Sequence, residues 1–402
     1  MMGLIGIASL ILIGYLLSYD RKSINWRTVF GAFSIQVAIA LFVLYVPSGV
    51  DILLKVTDFI QGVMGYAKLG ADFLFGKLGD GSLGFVFALN VLPGIVFFSA
   101  LIAVLYYLGI MRWMIHLIGG ALHKALGTSK PESMSAAANI FVGQNEAPLV
   151  VSPFVRTMTQ SELFAIMVGG FASIAGSTMA GYAAIGIELK YLIAGSFMAA
   201  PAGLMMAKLL YPETKQPLNE LKDVDDNSLS YSNIFDAAAS GAMTGMQLAF
   251  NVGAMLLVFV SLIGLFNGVI GWTGDLVGIE ALTFEKILGW VMAPIAWLIG
   301  IDWSEAQLAG SFIGQKIVVN EFVAYLSFID QAQNLSPRAQ AIIIFALCGF
   351  ANFSSIAMMM GGLGALAPNR RKDVAKLGLR AIAAATLANL MSATLAGIFI
   401  SI

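Results

Sequence analysis

Apolar residues run along this chain in blocks too long for the interior of a soluble domain. Stretches 3–19, 27–46, 84–110, 162–186, 190–211, 238–271, 338–362 and 375–401 come close to or exceed a bilayer-spanning length, for which about 20 residues suffice. They predict eight transmembrane helices. Residues 51–70 and 111–127 are amphipathic and predict helices lying at the interface. Residues 280–300 resemble them but are more apolar. The stretch 212–235, with Pro217, Asp223, Asp225 and Asp226, is the most polar and predicts a linker.

Two segments, 135–160 and 304–330, are too polar to cross and too apolar to be loops. Each starts with small residues, reaches a polar knot and turns apolar again. Irregular backbone at membrane depth is tolerated only where protein or a cavity covers it. Re-entrant hairpins satisfy that condition. Pro148, just after the first knot, has no backbone N–H and helps keep the tip out of continuous helix.

Composition agrees with the pattern. Of 402 residues, 59% are hydrophobic and 11% charged, against about 25% charged in soluble domains. Mean hydropathy is +0.86. The first 19 residues lack a preceding basic segment, and Asp20, Arg21 and Lys22 follow them. They predict a retained span, not a cleaved signal. The net charge of -1, without a basic cluster, argues against a nucleic-acid partner. The one cysteine, Cys348, excludes an intrachain disulfide, and His116 and His123 form no metal box.

Lysines and arginines orient the spans. With the N-terminus outside, the loops at 20–27, 111–134, 212–237 and 367–376 fall inside, and they carry most of the Lys and Arg. The expected orientation is therefore N-out and C-out.

The two odd segments also resemble each other. The phrase 141-FVGQ-144 precedes Glu146, and 312-FIGQ-315 precedes Glu321. Similar phrases follow, 169-GGFASIAG-176 and 348-CGFANFSSIA-357, and a further apolar span closes each unit. The units enter from opposite sides, so the repeats are inverted, which places a substrate site at their interface.

Glu146 and Glu321 are the carboxylates deep in these segments. An uncompensated charge at the bilayer centre costs about 2.5–3.5 kcal/mol on insertion scales. Such residues face a wet cavity or a partner. Gln144, Asn145, Asn352 and Ser355 add donors and acceptors, with Asn352 and Ser355 spaced to share a helix face. The mixture suits a neutral ligand rich in hydroxyls and ring nitrogens. A strongly anionic ligand would call for more than Lys316 nearby. Phe350 suits packing or ring stacking. Asn139 and Ser173 offer oxygens to a hard cation such as Na⁺. No nucleophile–base pair, HExxH or metal cluster points to an enzyme.

At these residues the chain resembles the concentrative nucleoside transporters of the bacterial Na⁺-coupled type. The phrases that carry the resemblance are 139-NIFVGQNEAPLVV-151, 153-PFV-155, 169-GGFASIAG-176, 236-DAAASGA-242, 251-NVGAM-255, 320-NEFVAY-325 and 347-LCGFANFSSIA-357, and it spans essentially the whole chain. It implies an all-α integral membrane fold. Eight transmembrane helices, interfacial helices and two opposed re-entrant hairpins would form an elevator-type homotrimer in the inner membrane. The implied division is 1–134 scaffold, 135–211 first transport repeat, 212–237 cytoplasmic linker, 238–303 scaffold and 304–402 second transport repeat.

The resemblance further implies that Glu321, Asn352 and Ser355 hold a ribose. Gln144, Asn145 and Glu146 meet the base, and Leu248 and Phe350 are apolar contacts. Na⁺ takes the side chains of Asn139 and Ser173 and the carbonyls of Val142 and Ile174. Nothing beyond this coupling ion is expected as a cofactor. The family usually has Thr or Ser where this chain has Asn145, which bears on the choice of base, as does Thr178. The expected function is Na⁺-driven import of nucleosides, uridine-like pyrimidine nucleosides first, with purine nucleosides left open. A proton-coupled symporter and a passive channel are the alternatives, and a channel would need a continuous polar lining.

Overall fold

In a computed structural model, residues 2–78, 86–144, 146–217, 231–276, 278–279 and 281–400 are described. Among them the regular structure is helical. The chain opens with α1 (Met2–Leu16), α2 (Trp26–Leu44) and α3 (Pro47–Phe75). Next come α4 (Phe87–Asn90), α5 (Leu92–Tyr107) and α6 (Ile110–Leu126). The first repeat comprises α7 (Lys130–Ala138), α8 (Ser152–Val155), α9 (Gln160–Ala172), α10 (Gly176–Ala184) and α11 (Leu189–Leu210). After the linker run α12 (Ile234–Leu276) and α13 (Phe284–Leu298). The second repeat comprises α14 (Trp303–Val318), α15 (Glu321–Gln331), α16 (Pro337–Leu347), α17 (Phe353–Leu366) and α18 (Arg371–Phe399).

The predicted spans are present over their described residues, but three are not continuous: span 84–110 is interrupted at Val91, between α4 and α5. Span 162–186 breaks between α9 and α10, where Ser173 is extended with φ -110° and ψ 170°. Span 338–362 breaks between α16 and α17, and Asn352 caps the second half through its side chain. The latter two breaks fall on the two shared phrases. The division drawn at 134/135 cuts through α7, which already begins at Lys130 because Ser129 and Glu132 form a capping box there.

The repeats form the core. Nine-tenths of the best membrane window in α11 is buried (94%), against 11% of that in α12. The buried repeats meet at Asn389 on α18. Its Nδ2 donates to Ala172 O at 2.6 Å and to Cys348 O at 2.9 Å. One side-chain amide thus satisfies carbonyls at the ends of both broken first halves, which a helix end leaves without intrahelical partners. Asn389 Oδ1 accepts from the buried Lys316 Nζ at 2.6 Å. Gly349 is obligatory in this corner, since a Cβ there would stand 2.5 Å from Asn389 Oδ1 and 2.7 Å from Ala172 O. Cys348 is buried beside it, with Sγ 3.9 Å from Leu192 O.

Each hairpin segment is closed at its base by carboxylates. In the first repeat Thr159 N donates to Glu162 Oε2 at 2.8 Å and Thr159 Oγ1 donates to Glu213 Oε2 at 2.6 Å. Lys208 pairs with Glu132 and donates to Ser161 Oγ at 2.8 Å. In the second repeat Glu305 Oε1 accepts from Ser336 N at 2.5 Å and Oε2 from Ser336 Oγ at 2.9 Å. Glu305 therefore ties the start of α14 to the cap of α16. Glu305→Gln keeps the shape but removes the charge from both bonds. It is expected to lower stability by about 1–2 kcal/mol, read as a fall in Tm of the purified protein. An unchanged Tm would count against this tie.

The more exposed helices differ in kind. At about 1.5 Å per residue, the 43 residues of α12 extend about 65 Å. That is roughly twice the hydrocarbon thickness, so α12 tilts or projects beyond it. Phe235, Met243, Phe250, Leu257 and Leu265 stand exposed along it.

Candidate functional site

The first hairpin segment leaves the helix at Asn139, the C-cap of α7, and regains a helical turn at Ala147–Val151, where Pro148 lies in the opening turn. The tip between them is irregular and rests on the first break: Gly176 N donates to Phe141 O at 3.0 Å. A Cβ on Gly176 would stand 2.9 Å from that oxygen, so the glycine permits the approach. The second hairpin segment breaks at Val319 and Asn320, and α14 and α15 pack on each other. Asn320 caps α15 by accepting from Val323 N at 2.9 Å.

This placement revises the match between the repeats. FVGQ forms the irregular first tip, whereas FIGQ lies inside α14, before its tip. Gln315 Oε1 accepts from Ser327 Oγ at 2.7 Å and is buried in the hairpin itself. The residues that correspond at the two tips are Glu146 and Glu321.

A cavity of about 520 Å³ lies between the two tips, the two breaks and α12. Gln144 and Glu146 line it from the first repeat, Glu321, Phe350 and Asn352 from the second, and Leu248 from α12. Glu321 is buried, and its two oxygens have different neighbours. Oε1 accepts from Tyr182 OH at 2.9 Å and Oε2 from Asn352 Nδ2 at 3.0 Å. Asn352 is not on a helix face shared with Ser355. It is the cap of α17, and its Oδ1 accepts from Ser355 N at 3.0 Å and Ser355 Oγ at 3.1 Å. Ser355 is fully buried behind Asn352, while Ser354 lines the cavity. Gln144 Nε2 reaches Ser355 Oγ at 3.5 Å, so the repeats touch here.

Two buried acceptors, Gln144 Oε1 and Thr178 Oγ1, have no hydrogen-bond partner among the described residues, and both side chains line the cavity. Asn145 lies outside the described residues. Periodicity missed Thr244, Gln247 and Asn251, which give α12 a polar strip toward the cavity. Their spacing of three and four was visible, but nothing in the sequence said which face of α12 met the site. Lys316 does not reach the cavity; its Nζ points to Ala346 O and Asn389 Oδ1. Outside the spans, burial pushes the Tyr231 phenol up, with the Glu146 carboxylate as the next cause.

At the first tip and the break beside it are four buried residues, Asn139, Val142, Ser173 and Ile174. Asn139 Oδ1 is buried with no hydrogen-bond partner among the described residues. Asn139 is the C-cap of α7 and Ser173 the C-cap of α9. Helix C-termini present carbonyls and the negative end of the dipole. An orphaned amide oxygen and a hydroxyl at two such ends fit a hard monovalent cation, which takes neutral oxygen donors.

Comparison with known proteins decides the family. The profile described as "Na+ dependent nucleoside transporter C-terminus" matches residues 191–397, its N-terminal counterpart matches 5–78, and "Nucleoside recognition" matches 88–188. The chain belongs to the Na⁺ dependent nucleoside transporters. These are the concentrative nucleoside transporters, which are not enzymes. The transporter is 57% identical to an uncharacterized transporter of Haemophilus influenzae over 99% of this chain and 97% of that one. It is 48% identical to the nucleoside permease NupC of Helicobacter pylori, again over 99% of this chain and 97% of the relative. The structure of CNTnw in an inward-facing, substrate-bound state is 57% identical, with a TM-score of 0.96 over 100% of this chain and 97% of that one. The transporter thus shares that helical membrane fold, moves nucleosides across the membrane and uses Na⁺ as its coupling ion.

Proposed function

We propose that this chain imports uridine-like nucleosides by Na⁺ symport with an elevator movement of the two repeats. The observation that carries the reading is the cavity into which both repeats and α12 project, with Glu321 set between Tyr182 and Asn352. Both neighbours donate to the carboxylate, so its remaining lone pairs are left to accept hydroxyl protons from a ribose. Asn352 is held by its cap bonds and presents Glu321 in one orientation, with Ser355 acting behind it. Gln144 and Thr178, whose oxygens lack partners among the described residues, read the edge of the base, joined by Asn145 and Glu146. Phe350 and Leu248 cover its faces.

Na⁺ is held by Asn139 and Ser173 side chains and by the carbonyls of Val142 and Ile174. Bound there, it supplies positive charge where two helix ends converge. The residues around it do the coupling. Phe141 O, between Asn139 and Val142, accepts from Gly176 N at the break. Ordering that junction fixes the tip that carries Gln144 and Glu146. Coupling then follows from linkage: Na⁺ and nucleoside each favour the same ordered tip.

The buried repeats are the moving part and the exposed helices the support. α12 exposes apolar residues, and with α3 and α5 it borders a second, largely apolar cavity of about 550 Å³. These surfaces suit packing against identical subunits in a homotrimer. The loop charges favour an inner-membrane protein with both termini outside.

In proteoliposomes, uridine accumulation is expected to collapse when external Na⁺ is replaced by choline at fixed pH. Uptake that ignores Na⁺ and follows a proton gradient would sink the reading, and failure to accumulate against a gradient would favour a passive pore.

A further inference from the structure

The two repeats reach the ends of their broken helices with different groups. In the first, the arm before the tip contributes Asn139 beside the end of α9. A Cβ on Gly169, near that end, would lie 3.2 Å from Asn139 Nδ2. In the second, the arm before the tip contributes Lys316, beside the end of α16. Its ammonium donates to Ala346 O, in the last turn of α16, at 2.8 Å, and to Asn389 Oδ1 at 2.6 Å. Lys316 is 1% exposed. Both acceptors are neutral oxygens, the donor type a hard cation takes. The end of α16 carries the same negative dipole end as that of α9.

We propose that the Lys316 ammonium is a tethered cation that takes, in the second repeat, the place the coupling Na⁺ takes in the first. The proposal rests on the Na⁺ site at Asn139 and Ser173. It gives the buried lysine a role: the second repeat carries its cation on its own side chain, so its break is assembled without an ion. Glu321 and Asn352 are then in position before Na⁺ arrives. Only the first repeat waits for an ion, and a single Na⁺ moves with each nucleoside.

The test is uridine uptake against Na⁺ concentration in proteoliposomes of the full chain. The wild type should follow a hyperbola with a Hill coefficient of about one. Lys316→Gln vacates the ammonium position but keeps three oxygens there: Ala346 O, Asn389 Oδ1 and the new amide oxygen. A second Na⁺ should enter, so the Hill coefficient should rise toward about two, the number of sites setting its ceiling. Lys316→Met supplies no oxygen and loses both charge-assisted bonds, so its uridine KM should rise at least about tenfold, without rescue by Na⁺. A glutamine variant that reaches the membrane and keeps a Hill coefficient of one overturns the proposal, as does a methionine variant that transports like the wild type. Should neither reach the membrane, the reversal potential of the wild type decides: one Na⁺ per nucleoside supports the tethered cation, and two overturns it. Asn139→Leu separates the underlying reading. It should abolish the Na⁺ stimulation, and if it does not, the Na⁺ site itself is misplaced, whatever the Lys316 variants do.

Discussion

Glu321→Gln should weaken uridine binding by about ten- to a hundredfold, because hydrogen bonds to a charged group are worth about 1.5–3 kcal/mol and 1.4 kcal/mol is a decade. The loss has two parts. A carboxylate accepts at every lone pair, and here Tyr182 OH takes one oxygen at 2.9 Å and Asn352 Nδ2 the other at 3.0 Å. Glutamine must place an NH₂ group against one of these donors. Against Asn352 Nδ2 two donors would face each other, so the amide is confined to one orientation, with its NH₂ toward Tyr182 OH, which must give up donating and accept instead. The second part is the ligand: a neutral amide offers a ribose hydroxyl a weaker acceptor. Titration of the purified variant with uridine measures both together. Wild-type affinity would remove Glu321 from the site. Retained affinity for a deoxyribose analogue, with uridine weakened, would instead locate the loss at the sugar.

Asn389→Leu should cost at least about 3 kcal/mol of stability, since it strands three buried groups at roughly 1–3 kcal/mol each. Ala172 O and Cys348 O lose their shared donor, and Lys316 Nζ loses its shorter acceptor. Leucine fills a similar volume, so a cavity does not explain the loss. Asn389→Asp is the informative companion. It keeps an acceptor for Lys316 but turns repulsive oxygens toward both carbonyls. The expected order of Tm is wild type, then aspartate, then leucine. A leucine variant with the Tm of the wild type would show that the two breaks stand without this bridge.

The long apolar blocks announced the spans, and the polar knots announced the segments that do not span. Both signals are local, and both follow from the cost of polar groups in hydrocarbon. The breaks in α9–α10 and α16–α17 were not legible, because Gly, Ala, Phe and Ser in 169-GGFASIAG-176 read as helix in an apolar setting. What interrupts the helix is a partner far along the chain: Asn389 for both ends, and Phe141 for Gly176. The same distance hid Tyr182 behind Glu321 and joined Lys208 to Glu132. FVGQ and FIGQ show the opposite error, a likeness of letters at places that fold differently. Spacing put Asn352 and Ser355 on one helix face, but they are cap and capped residue and divide the work, one facing the cavity and one supporting it.

Cys348 closes α16, and the chain has no other cysteine. Its thiol is walled in by the helix ends that Asn389 joins. A thiol reagent in water meets no ready target in the native protein. A cysteine introduced at an exposed position, such as Thr157 at the base of the first hairpin segment, would therefore be the sole site for a spin label or fluorophore. Distances between such a reporter and one on α12 can be followed in an otherwise unaltered chain, without first replacing a residue at the crossing of the two repeats.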